Sequence, residues 1–378
     1  MNKLRLGFYR GADFSHSIGV SDWRIGLYMP EFGFETWIFG KGETNCLHKP
    51  GVHFIQHNQS CLPIPDTLTM SSQFIQQSTG LDFDAVICNR GLALAGAMMK
   101  KSNPRTKLIL DIRSIPVETQ GLIGFLDNLY FYFAIRSNYY DALSTISQGM
   151  LDDLEEKFHF KCHLPTAIWG SGFDPELFIP SIADSSIKEN NGLTNQFIVM
   201  YHGSLSRTRG LTEVIHCMRL LLDRGIENVH LVFIGQGEAQ ASLIRLVQRL
   251  AVIDHVRFLP PIPHDKIPAL IAACDLGIDP LPDHPWWQHQ SALKVFEYLA
   301  MGKPVLATDI PCHRDISDAV LLVPNNSPHT VAQGIINCMN LSVRSKTQLR
   351  EKALADSQKF TWKARAAILA DFIHNQVL

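Results

Sequence analysis

The feature that most constrains this chain is an alternation that runs through it twice. Short apolar runs of four to six residues alternate with longer stretches of helical spacing, and a polar tract separates the two series. In the first half the apolar runs are Leu4–Tyr9, Glu35–Gly40, Ala85–Cys88, Leu108–Ile112 and Ala142–Ile146. Helical stretches are expected near Ser21–Met29, Ala93–Lys101 and Gln148–Lys157. The second half repeats the pattern with runs at Phe197–Tyr201, Val229–Ile234, Val256–Leu259, Leu276–Pro280, Pro304–Ala307 and Val320–Val323. Its helices are expected at Gly210–Asp223, Glu238–Leu250, Lys266–Ala273, Ala292–Met301, Pro328–Asn340, Ser345–Gln358 and Thr361–Asn375. Continuous apolar runs, rather than alternating ones, suit strands buried on both faces, and strand–helix alternation gives a parallel sheet covered by helices. The chain therefore predicts an α/β protein of two doubly wound, Rossmann-like domains, with ligands at the carboxyl ends of strands and in a cleft between the domains.

Length agrees, since 378 residues suit two domains better than one. The polar stretch Pro180–Gln196 marks the boundary. The expected division is residues 1–180, a linker at 181–195 and residues 196–360, with the terminal helix 361–378 returning to the first domain. A formal charge of −2 supplies no field for nucleic acid, so no nucleic-acid partner is expected. The eight cysteines form no C-x-x-C pair and several lie in apolar runs, which reads as buried thiols in a reducing compartment. With no signal-type segment and no spanning run, a cytoplasmic location is expected, with a peripheral contact on the inner face of a membrane as an added option. The aromatic stretch Leu122–Ile135 is read as core or interdomain packing ahead of membrane contact, and the basic cluster Lys100, Lys101, Arg105 and Lys107 as a solvated face.

Three segments carry chemistry. In Tyr201–Leu211 a strand ends at Gly203, a short loop holds Arg207 and Arg209, and Gly210 opens a helix. Free backbone N–H groups, two cations and a helix N-terminus suit a diphosphate, although two arginines in a solvated loop would look the same. In Ile234–Glu238 the pair Gly235 and Gly237 follows a strand, either as a tight turn or as backbone able to approach a nucleotide. A dinucleotide fingerprint needs a third glycine, and that position is Gln240. In Ser291–Thr308, Ser291 is the expected N-cap of a helix whose first amides can bind phosphate. Lys294 and Glu297, three residues apart, share one face: one suits a phosphate and the other a ribose diol, unless they simply pair with each other. His284, His289, Asp279 and Asp283 do not have the spacing of a metal site, and no metal is expected. Trp286 and Trp287 read either as lining a ligand cleft or as a packed aromatic loop.

The stretch Glu297-Tyr-Leu-Ala-Met-Gly-Lys-Pro-Val305, with Asp279-Pro-Leu-Pro and Ser291-Ala-Leu-Lys294 before it, resembles the signature of glycosyltransferase family 4. Gly203–Gly210, Gly235-Gln-Gly237, Val256–Leu259 and Trp169–Pro180 resemble further segments of that family in the same order, as do Asp111–Pro116 and Ser144–Gly149. The resemblance implies a GT-B fold and a retaining glycosyltransferase that moves a sugar from a UDP- or GDP-linked donor to a hydroxyl of a glycan or lipid-linked acceptor, in cell-surface polysaccharide or glycolipid synthesis, with no cofactor. It implies that Arg209 and Lys294 act as cations at the leaving diphosphate. Glu297 takes the nucleotide ribose, the amides of Ser291, Ala292 and Leu293 meet phosphates or donor sugar, and backbone at Pro261 and Ile262 reads the base. Gly11 faces the cleft, His289 stands where the family has a donor-contacting glutamate, and Asp111, Arg113, Trp286 and Trp287 are candidates on the acceptor side. A nucleotide-sugar epimerase and a non-catalytic nucleotide-sugar-binding subunit are the alternative readings.

Overall fold

The computed structural model describes residues 3–14, 23–42, 49–56, 66–115, 121–160, 163–180, 188 and 193–378. It contains two compact units. The first comprises Met1–Gly172, His289–Ser291 and Trp362–Leu378, and the second Phe173–Gln288 and Ala292–Thr361.

The first unit is built on a seven-stranded sheet ordered β3-β2-β1-β4-β5-β6-β7. The strands are β1 (Leu4–Asp13), β2 (Phe34–Lys41), β3 (Val52–Gln56), β4 (Ala85–Asn89), β5 (Lys107–Ile112), β6 (Ala142–Thr145) and β7 (Thr166–Ile168), and each neighbouring pair is parallel. The order reverses between β1 and β4, the switch point of a doubly wound sheet. The two edge strands are those the apolar runs do not reveal. β3 is half exposed along its length and β7 has three residues, so neither needs a buried-type sequence. In the described part of the helix expected at Ser21–Met29 there is instead a 3₁₀ turn, Arg24–Leu27, with a second, Met29–Phe32, starting at its end. Pro30 sits in the first turn of the second and cannot donate to a continuing α ladder. Helix Gly121–Ile135 meets the core-packing expectation on one side only: Phe131, Ala134 and Ile135 are buried in the core, but Phe125 and Phe133 are 62 % and 64 % exposed.

The second unit repeats the plan with six parallel strands ordered β10-β9-β8-β11-β12-β13. These are β8 (Phe197–His202), β9 (Val229–Ile234), β10 (Val256–Leu259), β11 (Leu276–Asp279), β12 (Val305–Thr308) and β13 (Val320–Val323). Side chains alternate across the sheet. Val199 and Tyr201 of β8 join Leu231 and Phe233 of β9 in a core with helices Leu211–Asp223 and Pro328–Met339. Ile198, Met200, Val232 and Ile234 face the other way, onto helices Ile267–Ala273 and Leu293–Ala300. That alternation carries the last residue of β8, His202, to the same face as Met200 and toward the second helix pair.

The segment Phe173–Pro180, expected with the first domain, packs in the second unit. Phe173 and Phe178 are buried in its core, and the Phe173 N–H donates to Phe360 O at 2.9 Å. Trp362–Leu378 belongs to the first unit, where Trp362 is fully buried and His374 Nε2 lies 3.0 Å from Phe32 O. Among the described residues no helix is long and apolar enough to cross a membrane. Cys88, Cys217, Cys274 and Cys338 are buried free thiols and Cys312 is a partly exposed one.

Candidate functional site

In the second sheet the order reverses between β8 and β11, and the carboxyl ends of these two strands hold most of the residues singled out by sequence. The loop leaving β8 closes through Gly210, with φ at +69° and a hypothetical Cβ 2.0 Å from Pro280 O. A side chain there would collide with the backbone that follows β11, so the phosphate-type loop and the end of β11 are held together by a glycine. Gly235, with φ at +140°, does the same between loops, since a Cβ would stand 2.0 Å from Gly203 O. Gly237 backs onto Leu205 in the same way, and the Gly203 N–H donates to Ile234 O at 2.9 Å. Loop-to-loop packing therefore accounts for the Gly235-Gln-Gly237 turn.

Arg207 and Arg209 lie on one 3₁₀ turn before the helix. Arg207 is exposed, and its backbone N–H donates to Glu238 Oε1 at 3.0 Å. The Arg209 guanidinium stands 4.7 Å over the ring of Trp287, whose Nε1–H donates to Thr208 O at 2.9 Å. Trp287 thus braces the loop from below, while Trp286 is 37 % exposed.

Helix Leu293–Ala300 brings in Lys294 and Glu297. They do not pair with each other. Lys294 Nζ lies 3.2 Å from Asp279 Oδ1 at the end of β11, and its Cε lies 3.7 Å from where a Cβ on Gly203 would stand. Glu297 is flanked by two imidazoles: His264 Nε2 at 2.7 Å from Oε1 and His202 Nε2 at 3.4 Å from Oε2. Burial alone would raise the Glu297 pKa, but His264, His202 and Lys294 outweigh it and hold the carboxyl below its usual value. Desolvation drives the His202 pKa down to about 4, so this ring is neutral near pH 7. Asp279 is buried and would also be raised by desolvation, yet Lys294 and His313 hold it well below the carboxylate range. Pro261 and Ile262 follow β10, with Ile262 partly buried beside the same helices.

The expectation for Ser291 is corrected. The N-cap of helix Leu293–Ala300 is Ala292, with no side-chain cap bond. The Ser291 hydroxyl instead accepts the Ser171 N–H at 2.8 Å, within the first unit. His289 also packs in the first unit. Its ring fills the space over Gly149, with Nε2 3.8 Å from Asp153 Oδ2, and its carbonyl accepts the Ser147 hydroxyl at 2.7 Å. The four residues weighed as metal ligands go to separate partners. Asp283 Oδ1 accepts from Gln288 Nε2, His284 Nδ1 accepts the Trp286 N–H, and Asp279 faces Lys294 and His313.

In the first unit, Asp111 at the end of β5 is fully buried and bonded to the Ser144 hydroxyl at 2.7 Å and to Arg113 Nε at 3.2 Å. Arg113 NH1 donates to Trp169 O at 2.7 Å and stacks on the Trp169 ring. Gly11 lies at the irregularity in β1, where the register against β2 shifts between Tyr9 and Ala12. Sequence reasoning missed His264 and His313 and used His202 only as part of a loop. Each is a single histidine in a turn or at a strand end: His202 ends β8 at the switch point, His264 follows the edge strand β10, and His313 follows β12 beside β11, so no shared sequence signal marks them.

Residues 184–356 match the family model for glycosyl transferases group 1. D-inositol 3-phosphate glycosyltransferase of Corynebacterium glutamicum is 24 % identical over 248 residues, covering 63 % of this chain and 58 % of that protein. The chain spans 58–62 % of the length of the first curated relatives it matches. Among solved structures, Anabaena Alr3699/HepE in complex with UDP and glucose superposes with a TM-score of 0.77 at 18 % identity, over 99 % of this chain and 100 % of that one. Sucrose-phosphate synthase from Thermosynechococcus elongatus gives 0.78 at 18 % identity, over 99 % and 98 %. The fold is that of the GT-B glycosyltransferases, two Rossmann-like α/β domains.

Proposed function

We propose that this GT-B chain is a glycosyltransferase that binds a nucleoside-diphosphate sugar at the switch point of its second unit and passes the sugar, with retention, to a hydroxyl of a glycan or lipid-linked acceptor. The observation that carries the reading is the convergence of the Arg209 loop, Lys294 and Glu297 on the carboxyl ends of β8 and β11. Two cations suit a diphosphate, and Glu297, a buried carboxylate between two imidazoles on the helix that carries Lys294, suits a ribose diol.

In the reaction the bond between the anomeric carbon and the diphosphate oxygen breaks, and its electron pair leaves with the diphosphate. The acceptor oxygen bonds to the anomeric carbon and its proton passes to the departing phosphate. Arg209 and Lys294 oppose the charge that grows on the leaving group, in the role a metal ion could otherwise fill. UDP bound to the Anabaena neighbour supports a uridine donor, and GDP is the second candidate. Synthesis of a surface polysaccharide or glycolipid fits an acceptor held at the inner face of a membrane, and the exposed aromatic residues of Gly121–Ile135 support contact there. The test is a thermal-shift series with UDP, GDP, ADP, their sugars and the free nucleosides, followed by product NMR with the donor that binds. Stabilisation by a nucleoside diphosphate and a product of unchanged anomeric configuration are expected, with turnover unaffected by a chelator. A protein that no nucleotide stabilises would remove the proposal.

A further inference from the structure

Asp279 receives Lys294 on one carboxylate oxygen and a histidine, His313, on the other. His313 follows β12 on a short 3₁₀ turn and its side chain is fully buried. Its Nδ1 lies 2.8 Å from Thr308 O, a carbonyl that can only accept, so Nδ1 carries a proton. Its Nε2 lies 3.2 Å from Asp279 Oδ2. That contact needs one more proton, either on the ring or on the acid. Placing it on the acid would leave a neutral carboxyl 3.2 Å from the ammonium of Lys294, with Arg209 acting on the same group. Placing it on the ring gives an ionised carboxylate between two cations, with each oxygen satisfied by its own donor.

We propose that His313 is held as an imidazolium and, by occupying one oxygen of Asp279, positions the ammonium of Lys294 for the diphosphate of the donor. This rests on the reading above that Lys294 meets that diphosphate. The groups facing the ring are Asp279 and the Cys312 thiol, and those facing Asp279 are Lys294, His313 and Arg209. Burial opposes the ring charge, but the bond to Asp279 outweighs it and lifts the His313 pKa to about 10. The cluster of Lys294, Asp279 and His313 then keeps one net positive charge at the end of β11 across neutral pH. Without the imidazolium, both oxygens of Asp279 are open to Lys294, which is drawn onto the acid and away from the ligand. His313 is thus a positioning residue, with no ligand contact of its own.

Two measurements test this. The first is the ¹⁵N spectrum of histidine-labelled protein between pH 6.5 and 8.5, with the His313 signals identified by their loss in His313→Gln. Both ring nitrogens should stay protonated through the range, and a neutral-tautomer pattern for His313 at pH 7.5 in the wild type would overturn the proposal. The second compares titrations of UDP and uridine. The wild type should bind UDP far more tightly than uridine, Lys294→Ala should lose most of that increment, and His313→Gln should lose about tenfold of it while binding uridine normally. A full increment in His313→Gln beside a lost one in Lys294→Ala refutes the positioning role alone. A full increment in Lys294→Ala refutes the diphosphate reading as well, whatever the ring spectrum shows.

Discussion

The two units are the same scaffold used in two ways. Both sheets are parallel and both reverse order once, between β1 and β4 in one and between β8 and β11 in the other. At strand ends in the first unit, Asp111, Ser144 and Arg113 close on one another and on Trp169, a packed polar set within that unit. At the switch point of the second, Lys294, Asp279, His313, Glu297, His264 and His202 are gathered from several strands and loops, all with little exposure. Burying so many ionisable groups costs stability unless each is paired, and it concentrates electrostatic capacity where a ligand can use it. Topology offers a switch point in each unit, and on the proposed function the charged side chains at the strand ends of the second make it the one that binds.

The sharpest way to break this contrast is to remove the cations. Arg209→Ala and Lys294→Ala should each lower turnover by roughly 10²–10³, about 3–4 kcal/mol of transition-state stabilisation, with the fold intact by circular dichroism. Near-normal turnover in both variants would leave the second switch point without its special role. Glu297→Ala comes next. It should weaken a ribonucleoside diphosphate by roughly 10-fold or more, the scale of one hydrogen bond to a charged group, and abolish discrimination against the 2′,3′-dideoxy analogue in a titration. For the first unit the prediction is of another kind: Asp111→Asn should lower the thermal midpoint by about 1–2 kcal/mol in free-energy terms and leave nucleotide affinity alone.

The pH dependence of stability sharpens the same comparison. His202 has its pKa lowered from 6.5 to about 4, so the unfolded chain binds more protons there and stability falls as pH drops from about 6.5 toward 4. His313 is raised from 6.5 to about 10, so its contribution is full below 6.5 and is lost as pH rises toward 10. The thermal midpoint of the second unit should decline on both sides of neutrality, and His313→Gln should flatten the alkaline side in a calorimetric series. The smallest effect concerns the surface: Phe125→Ser with Phe133→Ser should reduce sedimentation with anionic vesicles while leaving nucleotide affinity and thermal midpoint within error.

How much of this is legible in sequence follows the same physics. In the second sheet the inner strands β8, β9, β11 and β12 are read to within about one residue at either end, because strands buried on both faces must be nearly continuous in apolar residues, and the edge strands Val256–Leu259 and Val320–Val323 are read to the residue because each still carries a compact apolar run. The edge strands β3 and β7 carry no such demand and leave no such trace. Lys294 and Glu297 are visible because helical spacing puts them on one face, but spacing cannot say whom they meet, and the structure gives each a different partner. Ser291 looks like a cap because its residue type and position fit, yet its hydroxyl is taken by Ser171, 120 positions earlier in the chain. His313 is invisible for the same reason: its meaning lies in Asp279, 34 positions away, and only the fold supplies that neighbour.

The most direct test of the central claim is a crystal structure of the protein with a nucleoside diphosphate. The account predicts the diphosphate within hydrogen-bonding distance of the Arg209 guanidinium and Lys294 Nζ, and the ribose hydroxyls on the Glu297 carboxylate. A nucleotide lodged instead at the ends of β1 and β4, with the second switch point empty, would contradict it.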